Sequence, residues 1–419
     1  MSVSVDKERL LASRRKNTEL KFLILLGLPS LGLTFAVTTL SAYLPTILHS
    51  LTNPLVVGVI IGAEGLFGLF MPVIFGVLAD RSKHVGDRLR YLVPSAFLMA
   101  GSLFVMGYIH ILFLIGIMVA LFYVGYYAFL APYWAIYPDL IPRDHSGRSR
   151  SAESAWRGVG AVTALISGGF LLGVFTALPF IIAGGLVVIV TFLLFPSLGK
   201  RRRQDVKRSR ASMIEAFANI YNTLHQTSGI RNLVIANSLW NATLRSILAF
   251  TVLFFTVGLN RSRHFVSAVI FPVAAIGIIL MVPVAGKLAD RIGHLKVLNV
   301  ACLIYGIGCL APVFTQRSWV IFIVPIVSGA AATVMVLPFA LLMKIQGEDE
   351  LHGANSGLFG LSRGIGSFAG PLLTGLAVYF GGSIFKSTNG YAAFWLASGI
   401  YILASLFFLR RIHERQPVT

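Results

Sequence analysis

Two ionisable residues stand inside apolar runs where a charge is expensive. Glu64 lies near the middle of VVGVIIGAEGLFGLF, and Arg245 near the middle of NLVIANSLWNATLRSILAF. A charge at the centre of a bilayer-spanning helix costs at least about 2.5–3.5 kcal/mol, so each is a functional candidate by default. Glu64 is placed to carry a coupling proton; the plainer alternative is a buried glutamate that fixes helix packing. Asn237, Asn241 and Arg245 follow one another at four-residue spacing and so share one helical face, predicted to line a cavity. A third group is aromatic. Tyr123, Tyr126, Leu130, Tyr133 and Tyr137 step by three and four, with Tyr127 and Trp134 beside them. Such a stripe packs a helix, or it forms a wall that stacks on a ring-shaped or apolar solute.

Another set of charges sits where apolar sequence ends. GVLADR at 76–81 contributes Gly76, Asp80 and Arg81, and GKLADR at 286–291 contributes Gly286, Asp290 and Arg291. An aspartate here can rest against the positive N-terminus of a neighbouring helix and an arginine, contacts worth about 0.3–2 kcal/mol each. Such a latch holds one conformation and breaks in another; the plainer alternative is an anchor at the membrane surface. Arg157 and Arg363 are candidates for the arginine in that latch, or for a cap on the cavity floor. Glu153 and Arg157, at i and i+4, are expected to form a local ion pair.

These residues need helices that cross a membrane. The chain has 419 residues, 56% hydrophobic and 12% charged. A soluble domain carries about a quarter charged residues, so this chain lacks the charge to cover a soluble surface. Its apolar runs have bilayer-crossing length. They fall at 22–42, 55–79, 91–110, 112–137, 152–173, 176–196, 231–257, 266–289, 297–315, 319–343, 355–380 and 391–409. The expected organisation is a cytoplasmic segment 1–21, a six-helix bundle 22–196, a cytoplasmic linker 197–230, a second bundle 231–409 and a tail 410–419. The segment before the first span is basic and polar and is read as a lead-in, not a cleaved signal. In the linker, KRRRQDVKRSR precedes ASMIEAFANIYNTLHQ, whose spacing predicts a helix at the membrane surface.

Lysine and arginine alternate along the connections. The segment before the first span, the even-numbered connections and the tail are rich in them; the odd-numbered connections hold few. This positive-inside pattern puts both termini in the cytoplasm and explains the net charge of +19 as topology. No nucleic-acid partner is needed to account for it. Cys302 and Cys309 lie seven apart in one apolar run and read as small buried hydrophobes. The sequence has neither a phosphate-binding glycine loop nor Cys/His spacing for a metal, so neither an ATP-driven motor, an enzyme nor a cofactor is expected.

The hexapeptides are part of a longer repeat. Gly76 and Gly286 are 210 residues apart, while Pro132 and Pro338, Gly147 and Gly353, and RGVG at 157–160 and RGIG at 363–366 share an offset of 206. Both copies run from the same side of the membrane, as in transporters whose two halves rock about a central site.

Twelve spans in 6+6 order with GKLADRIGHLKVL after the eighth resemble the major facilitator superfamily, whose cytoplasmic-loop signature is G-x-L-a-D-R-x-G-x-x-K. The resemblance implies an all-α integral membrane fold of 12 transmembrane helices in two six-helix bundles, and secondary transport of a small organic solute by alternating access. It implies a multi-pass protein of the plasma membrane (the inner membrane of a bacterium), working as a monomer with the lipid bilayer and a small-molecule solute as partners and a proton or another cation as coupling ion. The first loop, GVLADRSKHVGDRLRYL, is longer and resembles that of sucrose transporters and glycoside–pentoside–hexuronide cation symporters. Arg81, Gly86, Arg88 and Arg90 match that loop, while Tyr91 stands where a proline is expected. The fourth span matches the sucrose-transporter pattern at Pro132, Ala135 and Asp139. It places Tyr123, Tyr126, Tyr127 and Trp134 where the sugar- and proton-handling groups would be. The resemblance thus points to a sugar symporter by its loop, and to an exporter of apolar compounds by its fourth span. A membrane scaffold with the same fold is the remaining alternative.

Overall fold

The structure is a computed structural model; it describes residues 22–80, 89–141, 146–198, 228–314, 321–346 and 352–412. Among these, every long element is helical. Helix α1 covers Phe22–Leu48. It is followed by α2 (Pro54–Asp80), α3 (Leu89–Met106), α4 (Leu112–Leu140), α5 (Ser146–Val174) and α6 (Leu178–Leu198). The second group is α7 (Ser228–Leu253), α8 (Phe271–Ile292), α9 (His294–Phe314), α10 (Val324–Gln346), α11 (His352–Gly381) and α12 (Ala392–Leu409). Eleven of these spans are long and apolar enough to cross a bilayer, and α3 adds a shorter apolar stretch, Arg90–Met106. The twelve-helix layout expected from the sequence is therefore present.

Hydropathy located the spans better than their ends. The first span, expected to stop at 42, runs to Leu48 with Pro45 inside it. The third, expected to reach 110, stops at Met106. Apolar content marks what prefers lipid; where the backbone turns depends on neighbours such as Ala177, which packs against Gly107. Helix α7 ends in a π-helical turn, Phe254–Gly258, and a second, Val266–Ile270, leads into α8. Helix α8 closes on Gly293, whose φ of 98° is the positive backbone angle that glycine adopts without a steric cost. That is the glycine that ends the ADRIG stretch of the second motif copy. The predicted linker helix falls at residues outside the described set.

The two halves meet through α2 against α11, α1 against α7, and α5 against the start of α8. One face of α2 carries Gly58, Gly62 and Gly65 against α11. A Cβ at Gly58 would lie 2.2 Å from the Pro371 carbonyl oxygen, and one at Gly65 would lie 2.2 Å from the Phe368 nitrogen. Small residues let helices in lipid approach backbone to backbone. The contact does not continue to the basic face: three turns on from Gly65, Gly76 has open space around it, as does Gly360 one turn before Gly364. The close approach of α2 and α11 thus lies on the side away from the basic connections.

Candidate functional site

Helix α11 is clasped on both sides. Toward α7, a Cβ at Gly366 would sit 2.1 Å from the Ser238 carbonyl oxygen, and one at Gly370 would sit 2.4 Å from that of Ala242. In the first half Gly160 packs in the same way on Leu31 of α1. The RGVG/RGIG echo in the sequence thus marks equivalent glycine contacts in the two halves. With α2, α11 and α7 this close, Glu64 beside Gly65 comes within reach of α7.

Arg245 of α7 donates through Nη2 to Oε1 of Glu64, forming an ion pair between the halves. The Glu64 side chain is 3% exposed and that of Arg245 15%. Charges this deep are tolerated only when paired. The Tyr127 hydroxyl of α4 donates to the Glu64 carbonyl oxygen at 3.2 Å. Arg363 of α11 lies against the Tyr127 side chain, within electrostatic range of Glu64 and Tyr126. Tyr123 of α4 is fully buried within the field of both Glu64 and Arg245. Among the described residues the Nε of Arg245 is buried without a hydrogen-bond partner. An unmet buried donor costs about 1–3 kcal/mol.

Beside this cluster lies a cavity of about 390 Å³ with almost wholly apolar walls. Leu244, Leu248 and Phe254 of α7 and its π turn, Ile278 of α8, Val327 of α10 and Leu165 of α5 line it. Its volume falls within the range of drug-sized ligand pockets, about 300–1,000 Å³.

A set of outer contacts closes the other end. Ser267, in the π turn before α8, accepts from the Gly169 N–H at 3.0 Å and pairs with the Tyr43 hydroxyl at 3.1 Å. Tyr43 also donates to the Leu165 carbonyl oxygen. His264 packs edge-on to Phe170 at 5.4 Å and covers Gly173. Further round, His49 and Tyr391 hydrogen-bond at 2.9 Å.

The C-terminal part of the chain, residues 234–419, matches the sequence model of the Major Facilitator Superfamily. That is less than half of the chain, which is similar to the family over this part. The multidrug resistance protein MdtG of Escherichia fergusonii is 25% identical over 376 residues, 88% of each chain. MdtG of Dickeya zeae is 24% identical over 371 residues, 86% of each chain. Among solved structures, a bacterial homologue of the human lysosomal transporter Spinster, inward-facing and occupied, superposes with a TM-score of 0.76 at 15% identity. It covers 94% of this chain and 98% of its own. The nucleoside transporter NupG gives 0.74 at 16% identity, over 93% and 98%. These superpositions establish the major facilitator fold for this multi-pass membrane protein.

On that fold the sequence-derived residues separate into groups. Glu64, Arg245, Tyr123, Tyr126, Tyr127 and Arg363 gather at the centre. Arg363, a candidate for the latch or for a cap on the cavity floor, has its side chain against the central Tyr127. Asn237 and Asn241, expected to line a cavity, are buried: Asn237 donates to Ser362 of α11 at 2.6 Å, and Asn241 to the Asn237 carbonyl oxygen at 2.8 Å. The Asn237 amide ties α7 to α11, and that of Asn241 stays within α7. Tyr133 and Tyr137 bond each other at 2.8 Å and turn to α1, where Tyr133 donates to the Leu26 carbonyl oxygen at 2.7 Å. Trp134 donates to Glu153 Oε1 at 2.9 Å. Glu153 Oε2 is taken by Arg150 at 2.8 Å. The ion pair expected with Arg157 is therefore made with Arg150, and Arg157 stands exposed. At the helix ends Arg90, Asp290 and Arg291 are exposed and Gly286 has open space around it. Arg81 and the side chains of Asp80 and Asp139 fall outside the described set. Ser267 and Tyr43 carried no sequence signal: a serine and a tyrosine in apolar runs look like ordinary filling.

Proposed function

We propose that this transporter moves small organic compounds with a large apolar part by alternating access, coupled to a proton at Glu64. The observation that carries the reading is the Glu64–Arg245 ion pair between the halves. A proton on Glu64 removes the negative partner, weakens the bridge and frees the halves to part. Arg245, Tyr123 and Tyr127 surround the carboxyl, and the Asp80 and Asp290 corners serve as latches at the cytoplasmic rim. The apolar cavity beside Arg245 favours a drug-like cargo, in keeping with relatives named for multidrug resistance. We place the protein in the plasma membrane as a monomer, with the halves at 22–196 and 231–409 as rocking bodies.

A sugar symporter is the second reading, favoured by Arg81, Gly86, Arg88 and Arg90 in the first loop. Full-length protein in proteoliposomes separates the two. An apolar fluorescent dye and radiolabelled sucrose are each followed under pH gradients of both polarities. Dye flux that follows the gradient and stops with Glu64→Gln is the expected result, and its sign gives the direction of transport. Gradient-driven dye flux that survives Glu64→Gln removes the proton from Glu64. Sucrose flux in place of dye flux establishes the second reading.

A further inference from the structure

The central cluster does not balance its charges. Glu64 supplies one negative charge; Arg245 and Arg363, both in its electrostatic environment, supply two positive ones. No other acidic residue appears among the charges acting on Tyr123, Tyr127 or Arg363. A second, independent feature points the same way. The Nε–H of Arg245 is buried and has no partner among the described residues, although Nη2 is engaged by Glu64. One edge of the guanidinium is used and another is left for an acceptor. An arginine offers donors in a fixed fork that suits carboxylate, sulfonate and phosphonate oxygens.

The apolar cavity lies against the same helix. Arg245 lies between Leu244 and Leu248 on α7, and both leucines line the cavity. Its side chain therefore leaves the helix beside the cavity-facing stripe.

We propose that the cargo is an amphiphilic organic anion, its acidic group held between Arg245 and Arg363 and its apolar body in the cavity at Leu244 and Leu248. This rests on the transport reading above and narrows its solute. A lipophilic cation meets net positive charge at the same place and is disfavoured. The charge count also sets how the proton and the solute relate. The groups around Glu64 are Arg245 from α7, Arg363 from α11, and Tyr123 and Tyr127 from α4. Protonating Glu64 leaves both arginines to the anion, so proton and anion load together instead of displacing one another.

The test uses two dyes with one skeleton, 8-anilinonaphthalene-1-sulfonate and the neutral N-phenyl-1-naphthylamine, with a trimethylammonium derivative as the cationic arm. Each is titrated by fluorescence against full-length protein in lipid nanodiscs, with empty nanodiscs subtracted. The sulfonate is expected to bind at least about tenfold more tightly than the neutral dye, the scale of a hydrogen bond to a charged group. Its affinity is expected to rise as the pH is lowered. Glu64→Gln should tighten sulfonate binding and abolish that pH dependence, a gain no misfolded variant would produce. Arg363→Gln, and Arg245→Gln in the Glu64→Gln background, should bring the two dyes to parity. Equal affinity for the first two dyes in the wild type, preference for the cation, or weaker sulfonate binding in Glu64→Gln overturns the assignment. Because binding is measured without flux, a sulfonate preference with no transport would refute the transport reading and leave the anion site standing.

Discussion

Glu64 on α2 and Arg245 on α7 belong to different halves of the chain and form one ion pair in the membrane interior. Each alone is a costly charge in lipid; together they form a polar link across the seam between the halves. The variants that break it are not equivalent to the variant that removes it. Truncating one partner of a buried pair leaves a bare charge, at a cost of roughly 3–5 kcal/mol. Arg245→Gln alone should therefore lower the melting temperature in detergent more than Glu64→Gln with Arg245→Gln. Equal losses for the two would mean that the pair carries no coupling.

The glycine face of α2 should behave as a spacing device. Gly65→Val places a Cβ against the Phe368 nitrogen and the Gly364 carbonyl oxygen, neither of which can rotate away. Overpacking of this kind costs about 1–3 kcal/mol. The expected result is loss of transport with the chain still folded, and weaker cross-linking of cysteines placed on α2 and α11. Gly101→Val, on α3 with open space around it, is the control and should be close to neutral.

Ser267→Ala should release the outer closure. It removes the acceptor for the Gly169 N–H and the partner of the Tyr43 hydroxyl, each bond worth about 0.5–1.5 kcal/mol net. Spin labels on the 49–53 and 382–390 connections should report a larger share of molecules open on that side. Tyr43→Phe, which leaves Ser267 bound to Gly169, should shift the distribution less.

His49 supplies a pH dependence on the same side. Burial lowers its pKa below the ordinary 6.5, and its partner is the Tyr391 hydroxyl. A depressed histidine pKa means that this conformation disfavours the protonated ring. The contribution to outer closure is complete above the ordinary value and is lost as the pH falls through the lowered one. External acidification should open this side, and His49→Gln should remove the effect in the same spin-label distances.

The span count, the orientation and the two intramembrane charges were legible because each is a local property of the chain. A run of bilayer length or a glutamate among valines announces itself without a neighbour. Partners were not legible. Helical spacing shows that Asn237, Asn241 and Arg245 share a face, but not that α11 covers the two asparagines with Ser362. It places Tyr133 and Tyr137 together, but not against the Leu26 carbonyl oxygen. Arg363 shows the limit most clearly. Its place in the repeat left a latch and a cap on the cavity floor equally open, and only the packed helices show its side chain against Tyr127 of α4. The Glu153 pairing failed for a related reason: i+3 and i+4 positions are both neighbours on a helix, and Trp134 of α4 fixes the carboxylate where Arg150 meets it.

The backbone-to-backbone seam of α2 and α11 has a mechanical consequence. Its closest contacts are main chain on main chain, held by dispersion and weak Cα–H···O contacts, so sliding there requires few rotamers to be undone and remade. It works as a bearing. Resistance to the stroke then sits in a few discrete catches, at Glu64–Arg245 in the middle and at Ser267–Gly169 and His49–Tyr391 on the outside. The turnover rate should therefore be tunable one catch at a time, while any side chain added to the bearing itself stalls it.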